Sequence, residues 1–228
     1  MRIFIITFAI AFLLGSCSKI DNYGEGNATV KGGIYDIATK GANEELIPAQ
    51  SPDGARVRLF EEGSSQPVNF WCETDGTFNN NRIFSARYKI IPEGPFITKS
   101  TDTLSVSIPN NAAIAFYVEP YLRIKSEATR NGNNVDVKFK ISKSSQWTET
   151  LNQYVILYSW TKHLDASNYI SREIVNVSAS EENSILESEL TKTIAIPEAN
   201  ANKPVFVRVA ARTTGTSYYN YSSLIQLK

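Results

Sequence analysis

The sequence predicts an all-β protein, two tandem β-sandwich domains behind an N-terminal signal peptide. Three observations carry that prediction. Apolar and polar residues alternate with a period of two in run after run beyond residue 27, which turns one face of a strand into a core and the other toward water. The runs are short and are separated by clusters of Gly, Pro, Asn and Asp, the residues that turns require. At Glu119-Pro120 the series breaks and then restarts, as expected where a proline without an N–H interrupts a ladder. The 228 residues are 42% hydrophobic and 11% aromatic, enough apolar side chain for two cores in a chain of this length.

The first element is not a strand. Arg2 supplies a positive start, residues 3–14 form an apolar run, and Leu14-Gly15-Ser16-Cys17 closes it. The run falls short of the roughly 20 apolar residues that span a bilayer, so residues 1–16 are predicted to be an export signal rather than a permanent helix. The last four residues of the run resemble a bacterial lipobox, and that resemblance implies that Cys17 becomes the mature N-terminus and carries lipid. Residues 17–26, polar and glycine-bearing, would then tether the body to a membrane. Each buried methylene contributes about 0.8 kcal/mol, so a multiply acylated cysteine holds stably where one chain does not. With Cys17 lipidated, Cys72, the other of the two cysteines, has no partner in the chain, and no disulfide is expected.

In the first sandwich, predicted over residues 27–118, Ala55, Val57 and Leu59 alternate with Arg56, Arg58 and Phe60. Val68, Phe70 and Cys72 alternate with Asn69, Trp71 and Glu73, and Phe84, Ala86, Tyr88 and Ile90 with Ser85, Arg87 and Lys89. Leu104, Val106 and Ile108, then Ile114, Phe116 and Val118, continue the pattern. Ser51-Pro52-Asp53-Gly54, Asp75-Gly76, Asn79-Asn80-Asn81, Pro92-Glu93-Gly94-Pro95 and Asn110-Asn111 mark the turns between them. In the second sandwich, over residues 119–228, Val135, Val137, Phe139 and Ile141 alternate with charged residues, whereas residues 154–160 are apolar on both faces, as in a central strand. Val205, Val207, Val209 and Ala211 begin the closing strands. Helical turns are expected only at residues 165–169 and 180–190, the second with Ile185, Leu186 and Leu190 on its apolar side.

The series Val30-Lys31-Gly32-Gly33-Ile34, Ala55-Arg56-Val57-Arg58-Leu59-Phe60, Thr74-Asp75-Gly76-Thr77-Phe78 and Ala86-Arg87-Tyr88-Lys89-Ile90 is similar to prealbumin-like, carboxypeptidase regulatory-type domains. More narrowly, Asp75-Gly76-Thr77-Phe78-Asn79-Asn80, Ile83-Phe84, Tyr88, Pro92 and Gly94-Pro95-Phe96 resemble the DUF3823 lipoproteins of Bacteroidetes polysaccharide-utilisation loci. Ser85-Ala86-Arg87 stands where that pattern usually has a glycine before the tyrosine. Phe206-Val207-Arg208-Val209-Ala210-Ala211-Arg212 and Tyr221-Ser222-Ser223-Leu224-Ile225 resemble the last two strands of a fibronectin type III domain. The resemblance implies a lipid-anchored protein of the outer membrane, displayed at the cell surface, that works beside SusC/SusD-type uptake proteins.

Charge and chemistry narrow the function. Twenty-three Lys and Arg balance twenty-three Asp and Glu, so no net field draws the chain to nucleic acid. The single histidine, His163, has no metal-spaced Cys or His partner, and no G-x-S-x-G stretch supplies a nucleophile. Glu44-Glu45, Glu61-Glu62 and Glu181-Glu182 are adjacent pairs, but neighbours on a strand point to opposite faces, and solvated charge is the expected role for each. Asp53 and Asp75 precede glycines in turns without the acid density that calcium needs. The expectation is a non-enzyme with no metal and no cofactor.

Aromatic residues are the remaining candidates for binding. Trp71 is out of phase with Phe70 and Cys72, so it faces outward, to meet either a ligand or a covering loop or domain. Trp147 lies in a polar loop, as a ligand contact or a loop anchor, and Tyr218, Tyr219 and Tyr221 cluster near the last turn. Trp160, at the end of the central strand, is expected in the core. Flat rings suit sugars, whose axial C–H groups pack on a π face while polar neighbours hold the hydroxyls. The sequence-level expectation is therefore a membrane-anchored module that assists glycan capture, with a spacer that docks onto SusD-type partners as the alternative.

Overall fold

A computed structural model describes residues 24–52, 54–197 and 202–228. Cys17, the signal peptide and most of the tether lie outside the described residues, as does Asp53. The first domain contains β1 (Ala28–Asp36), β2 (Arg56–Glu61), β3 (Pro67–Trp71), β4 (Thr77–Ile83), β5 (Ala86–Glu93), β6 (Phe96–Ile97), β7 (Leu104–Ile108) and β8 (Asn111–Pro120). They form two sheets, β4-β1-β8-β6 and β3-β2-β5-β7. The first and last long strands, β1 and β8, run parallel, and the other pairs are antiparallel. Between the sheets Val30, Ile34, Val57, Leu59, Phe78, Ile90, Ile108 and Phe116 form one core, the inward half of the alternation.

Two glycines show why the pattern is what it is. A Cβ on Gly32 would lie 1.8 Å from the Ile114 carbonyl oxygen, so no other residue lets β8 approach β1 this closely. Gly76, in the Asp75-Gly76 turn, has φ +92° and a Cβ there would lie 2.3 Å from the Ile47 carbonyl oxygen. Asp75 accepts the Thr77 backbone N–H at 2.9 Å, the local bond that makes aspartate a turn former.

Tyr121 alone separates the two strand series. The second domain contains β9 (Leu122–Asn131), β10 (Asn134–Lys143), β11 (Leu151–Ser159), β12 (Ser171–Asn176), α1 (Glu182–Ile185), β13 (Leu190–Ala195), β14 (Val205–Thr213), β15 (Asn220–Tyr221) and β16 (Ile225–Leu227). Its sheets are β13-β10-β9 and β12-β11-β14-β15, with β16 also on β14. Strand β11 is buried on both faces: Tyr154, Ile156 and Tyr158 enter the inter-sheet core. Val155 and Leu157 join Leu164, Ala210 and Tyr221 beneath the loop after β11.

Local differences from the expectations have physical reasons. Residues 165–169 are not helical: the Asp165 carboxylate accepts the N–H groups of Ser167 and Asn168, which satisfies the backbone as a turn. Residues 180–190 give only the four-residue α1. Val68 and Leu104 keep the predicted phase but stay exposed, because β3 and β7 are sheet edges, and Phe84 is exposed because it lies in the turn between β4 and β5 rather than in a strand. Trp160 is half-buried against the core, edge-on to Tyr158 at 5.5 Å.

The seam between the sandwiches is hydrogen-bonded along its length. Arg123 on β9 donates to Asp36 at the end of β1 and to Glu119 at the end of β8. Asn220 accepts the Leu122 N–H and donates to the Pro95 carbonyl, and Arg208 reaches the Thr74 carbonyl at 2.9 Å. Among the described residues no helix is long and apolar enough to cross a membrane.

Candidate ligand-binding face

Strand β2 lies between β3 and β5, so its outward residues Arg56, Arg58 and Phe60 occupy the centre of an open sheet face. Register aligns three rows across that face. Trp71, Arg56 and Glu93 make the first, Asn69, Arg58 and Ile91 the second, and Pro67, Phe60 and Lys89 the third. Strand β3 is an edge, which leaves Trp71 36% exposed. The Arg56 guanidinium sits 5.5 Å from the Trp71 ring centroid, within cation–π range. It also forks onto Glu93, with Nε to Oε2 at 3.1 Å and Nη2 to Oε1 at 2.8 Å. That bond to Glu93 raises the Arg56 pKa, fixing the charge and the orientation of the fork.

Arg58 is held differently. Its Nη1 is 3.7 Å from the Glu93 carboxylate already taken by Arg56, and its guanidinium lies 5.1 Å from the Phe60 centroid. Its Nε is buried without a hydrogen-bond partner. A buried N–H without an acceptor is costly, and the outer end of this guanidinium, on a side chain 35% exposed, stands beside an exposed indole and the exposed amide of Asn69.

The five aromatic candidates divide. Tyr218 reaches across the seam and donates to Glu93 Oε1 at 3.3 Å, which joins it to Trp71 through the Glu93–Arg56 pair. Trp147 is next in line. Its ring stacks on Tyr121 at 3.7 Å and 20°, and its Nε1 donates to Thr213 Oγ1 at 2.9 Å. Burial, followed by the neighbouring Tyr218 and Glu93, raises the Tyr121 phenol pKa, so these residues share one local field. Trp147 thus anchors its loop on the inter-domain link, with one ring face already covered.

Tyr219 and Tyr221 lie elsewhere, on the outer side of the sheet that holds β11 and β14. Tyr219 donates to the Gln153 side-chain oxygen and lies under Arg212. Tyr221 is 4% exposed. Its hydroxyl accepts the Ala166 N–H at 3.1 Å and lies 3.3 Å from Gln50 Oε1 in the first domain, and burial raises its pKa. Tyr221 therefore offers no ring face to a ligand: β14 pairs beneath it, and the loop after β11 and the first domain close over it.

The residues that complete the Trp71 face, Asn69, Arg58, Arg56 and Glu93, were not singled out by the sequence. The alternation in β2 puts both arginines outward, but only the β2–β3 and β2–β5 registers place them beside Trp71. Elsewhere, His163 is exposed in a loop and its carbonyl accepts from Asn168. Glu182 is not a solvated charge: it is buried, bonded to Lys143 Nζ at 2.6 Å and to the Leu151 N–H at 2.8 Å. Burial raises its pKa but those bonds outweigh it, and the carboxyl titrates below its usual value. Cys72 is fully buried, and burial, with Asp75 and Glu73 adding to it, pushes its thiol up to about 12, where a thiolate nucleophile does not form. Among the described residues no group of three or more His, Cys, Asp or Glu could hold a metal ion.

Family comparison follows the same division into two domains. The DUF3823 N-terminal domain, a family of unknown function, matches residues 28–119, and the DUF3823 C-terminal domain family matches residues 122–226. No curated protein matches the chain. A solved DUF3823 family protein from Bacteroides uniformis superposes with a TM-score of 0.75 at 22% identity, covering 88% of this chain and 98% of its own. One from Parabacteroides merdae gives 0.73 at 16% identity, covering 90% and 100%. A second Bacteroides uniformis protein, named as a proposed carbohydrate binding protein, gives 0.71 at 18% identity, covering 89% and 99%. At these identities the likeness is one of fold, and none of the three is named as an enzyme. With both domain families matched in tandem over most of its length, the chain belongs to the DUF3823 family.

Proposed function

We propose that this protein is a non-catalytic lipoprotein, anchored through lipid on Cys17 at the outer-membrane surface, that assists glycan capture beside a SusC/SusD-type uptake system. One observation supports this best: an exposed indole, Trp71, on an open sheet face, flanked by Asn69, Arg56, Arg58 and Glu93, with Tyr218 contributed by the second domain. A sugar ring stacks on the indole while the amide and the guanidinium groups bond its hydroxyls. The fold relative named for carbohydrate binding is consistent with this role. Affinity electrophoresis of the chain through gels containing single polysaccharides tests it. Retardation by at least one glycan, lost in Trp71→Ala, is expected; no retardation across a broad panel would remove the proposal.

A second role, a spacer that docks onto a SusD-type partner without touching glycan, is favoured by the seam. Arg123, Asn220, Arg208 and Tyr221 tie the two sandwiches together at several points, as a stiff spacer requires. Pull-down from outer membranes discriminates: a partner lost in Trp71→Ala, with no glycan retarding the chain, favours the spacer.

A further inference from the structure

The glycan that the Trp71 face is proposed to hold has a recognisable charge. Four cations stand on or beside the outer side of the β3-β2-β5-β7 sheet: Arg56, Arg58, Lys89 and Arg87. Glu93 is bound in a fork by Arg56, and Arg87 lies 3.7 Å from Glu62. Arg58 is left with a 3.7 Å approach to a carboxylate already engaged and with a buried Nε that has no acceptor. Among the described residues Lys89, exposed one row further along, pairs with no carboxylate. The whole chain carries as many acids as bases, so this positive surplus is a local arrangement.

We infer that the face takes an acidic glycan, with a pyranose ring on Trp71 and its anionic substituent against Arg58. This rests on the glycan-capture role above and names the substrate class within it. Trp71 and Arg58 are diagonal neighbours on paired strands, which sets the two residues about 7–8 Å apart, the reach of a sugar ring with an exocyclic group. A carboxylate or sulfate in that place accepts from the terminal Nη groups of the Arg58 guanidinium, whose side chain is 35% exposed, in the planar geometry arginine favours. Asn69, opposite Arg58 in the register, supplies an amide to a ring hydroxyl, and Lys89 extends the field to the next residue of a polymer.

The test uses the full chain in detergent against polygalacturonate, its fully methyl-esterified form, dextran sulfate and dextran. Esterification removes the charge and keeps the rings. Polygalacturonate or dextran sulfate should bind, the ester and dextran at least about tenfold more weakly, and Arg58→Gln should lose about the same factor. Raising salt from about 20 to about 200 mM should weaken binding further. Trp71→Ala must also weaken it, which separates a ring-and-charge site from bare ion exchange. Tighter binding of polygalacturonate identifies a uronate, and tighter binding of dextran sulfate a sulfate ester. Equal binding of polygalacturonate and its ester, or an unchanged Arg58→Gln, overturns the inference while leaving glycan capture standing. Binding to none of the four, nor to any neutral glycan in the wider panel, removes both.

Discussion

The open face around Trp71 and the seam between the domains use the same residue types, an indole or phenol, arginines and carboxylates, to opposite ends. In the seam each arginine is satisfied by protein. Arg208 is 2% exposed and donates Nε to the Ser222 carbonyl, Nη1 to that of Leu164 and Nη2 to that of Thr74. On the open face Arg58 keeps a donor without an acceptor. Trp147 has a ring stacked on its own chain and its N–H bonded, whereas Trp71 looks outward from an edge strand. A completed network is architecture; the incomplete one, with its exposed ring, is the place proposed above for the ligand.

Breaking the seam should have the largest effect on stability. Burial lowers the Arg208 pKa to about 10, yet it stays charged at neutral pH while its three carbonyl partners compensate it. Arg208→Met removes the charge but strands those acceptors. A loss of about 3 kcal/mol is expected from buried acceptors left unpaired, seen as a fall in Tm of roughly 6–12 °C for a chain of this size. A Tm within a degree or two of wild type would mean that the seam does not depend on this residue.

Arg123 comes next, because it is partly exposed. Its guanidinium joins Asp36 and Glu119 from different strands, and the hydrogen bond with Asp36, first among its causes, raises its pKa. Burial pushes the Glu119 carboxyl up, but the bonds from Arg123 and Ser144 outweigh it and hold it below 4.5. A depressed folded-state pKa contributes stability that is present above the unfolded value and lost as pH falls through the folded one. Wild-type stability should therefore drop below about pH 4.5, and Arg123→Ala should flatten that part of the profile while costing about 2 kcal/mol at pH 7. Urea titrations at several pH values, followed by circular dichroism, check both.

The same contrast explains what the sequence disclosed. Alternation alone reached the sandwich class, the strand faces and the outward phase of Trp71, because a period of two follows from the pleat and from burial on one side. The fate of Tyr221 was not legible. Its exposure depends on Gln50 and on the loop that bears Ala166, more than fifty residues away in sequence, and no local pattern encodes that contact. Arg56 and Arg58 were visible as outward residues, but their placement beside Trp71 is a matter of register between strands. Glu182 was hidden for a related reason: Lys143 and the Leu151 N–H come from neighbouring segments of the fold. Pairs that meet only in three dimensions decide which polar residues are consumed by the structure.

The two tryptophans sharpen the comparison at the small end of the scale. Trp147→Ala removes a stacked ring and an N–H bond, and an aromatic contact of this kind, half-buried, should cost about 2 kcal/mol with glycan binding unchanged. Trp71→Ala should behave in reverse. Trp71 is more than one-third exposed on an edge strand, and its main contact is Arg56, which Glu93 holds in place without it. Its removal should shift stability by no more than about 0.5 kcal/mol, the usual range for surface sites. Its binding loss should exceed that of every seam variant that still folds. Thermal melts and affinity electrophoresis on the two alanine variants, run side by side, measure this double dissociation. If Trp71→Ala unfolds as readily as Trp147→Ala, the indole is part of the framework. The open face would then be a second seam waiting for a protein neighbour, and the spacer role would gain what glycan capture loses.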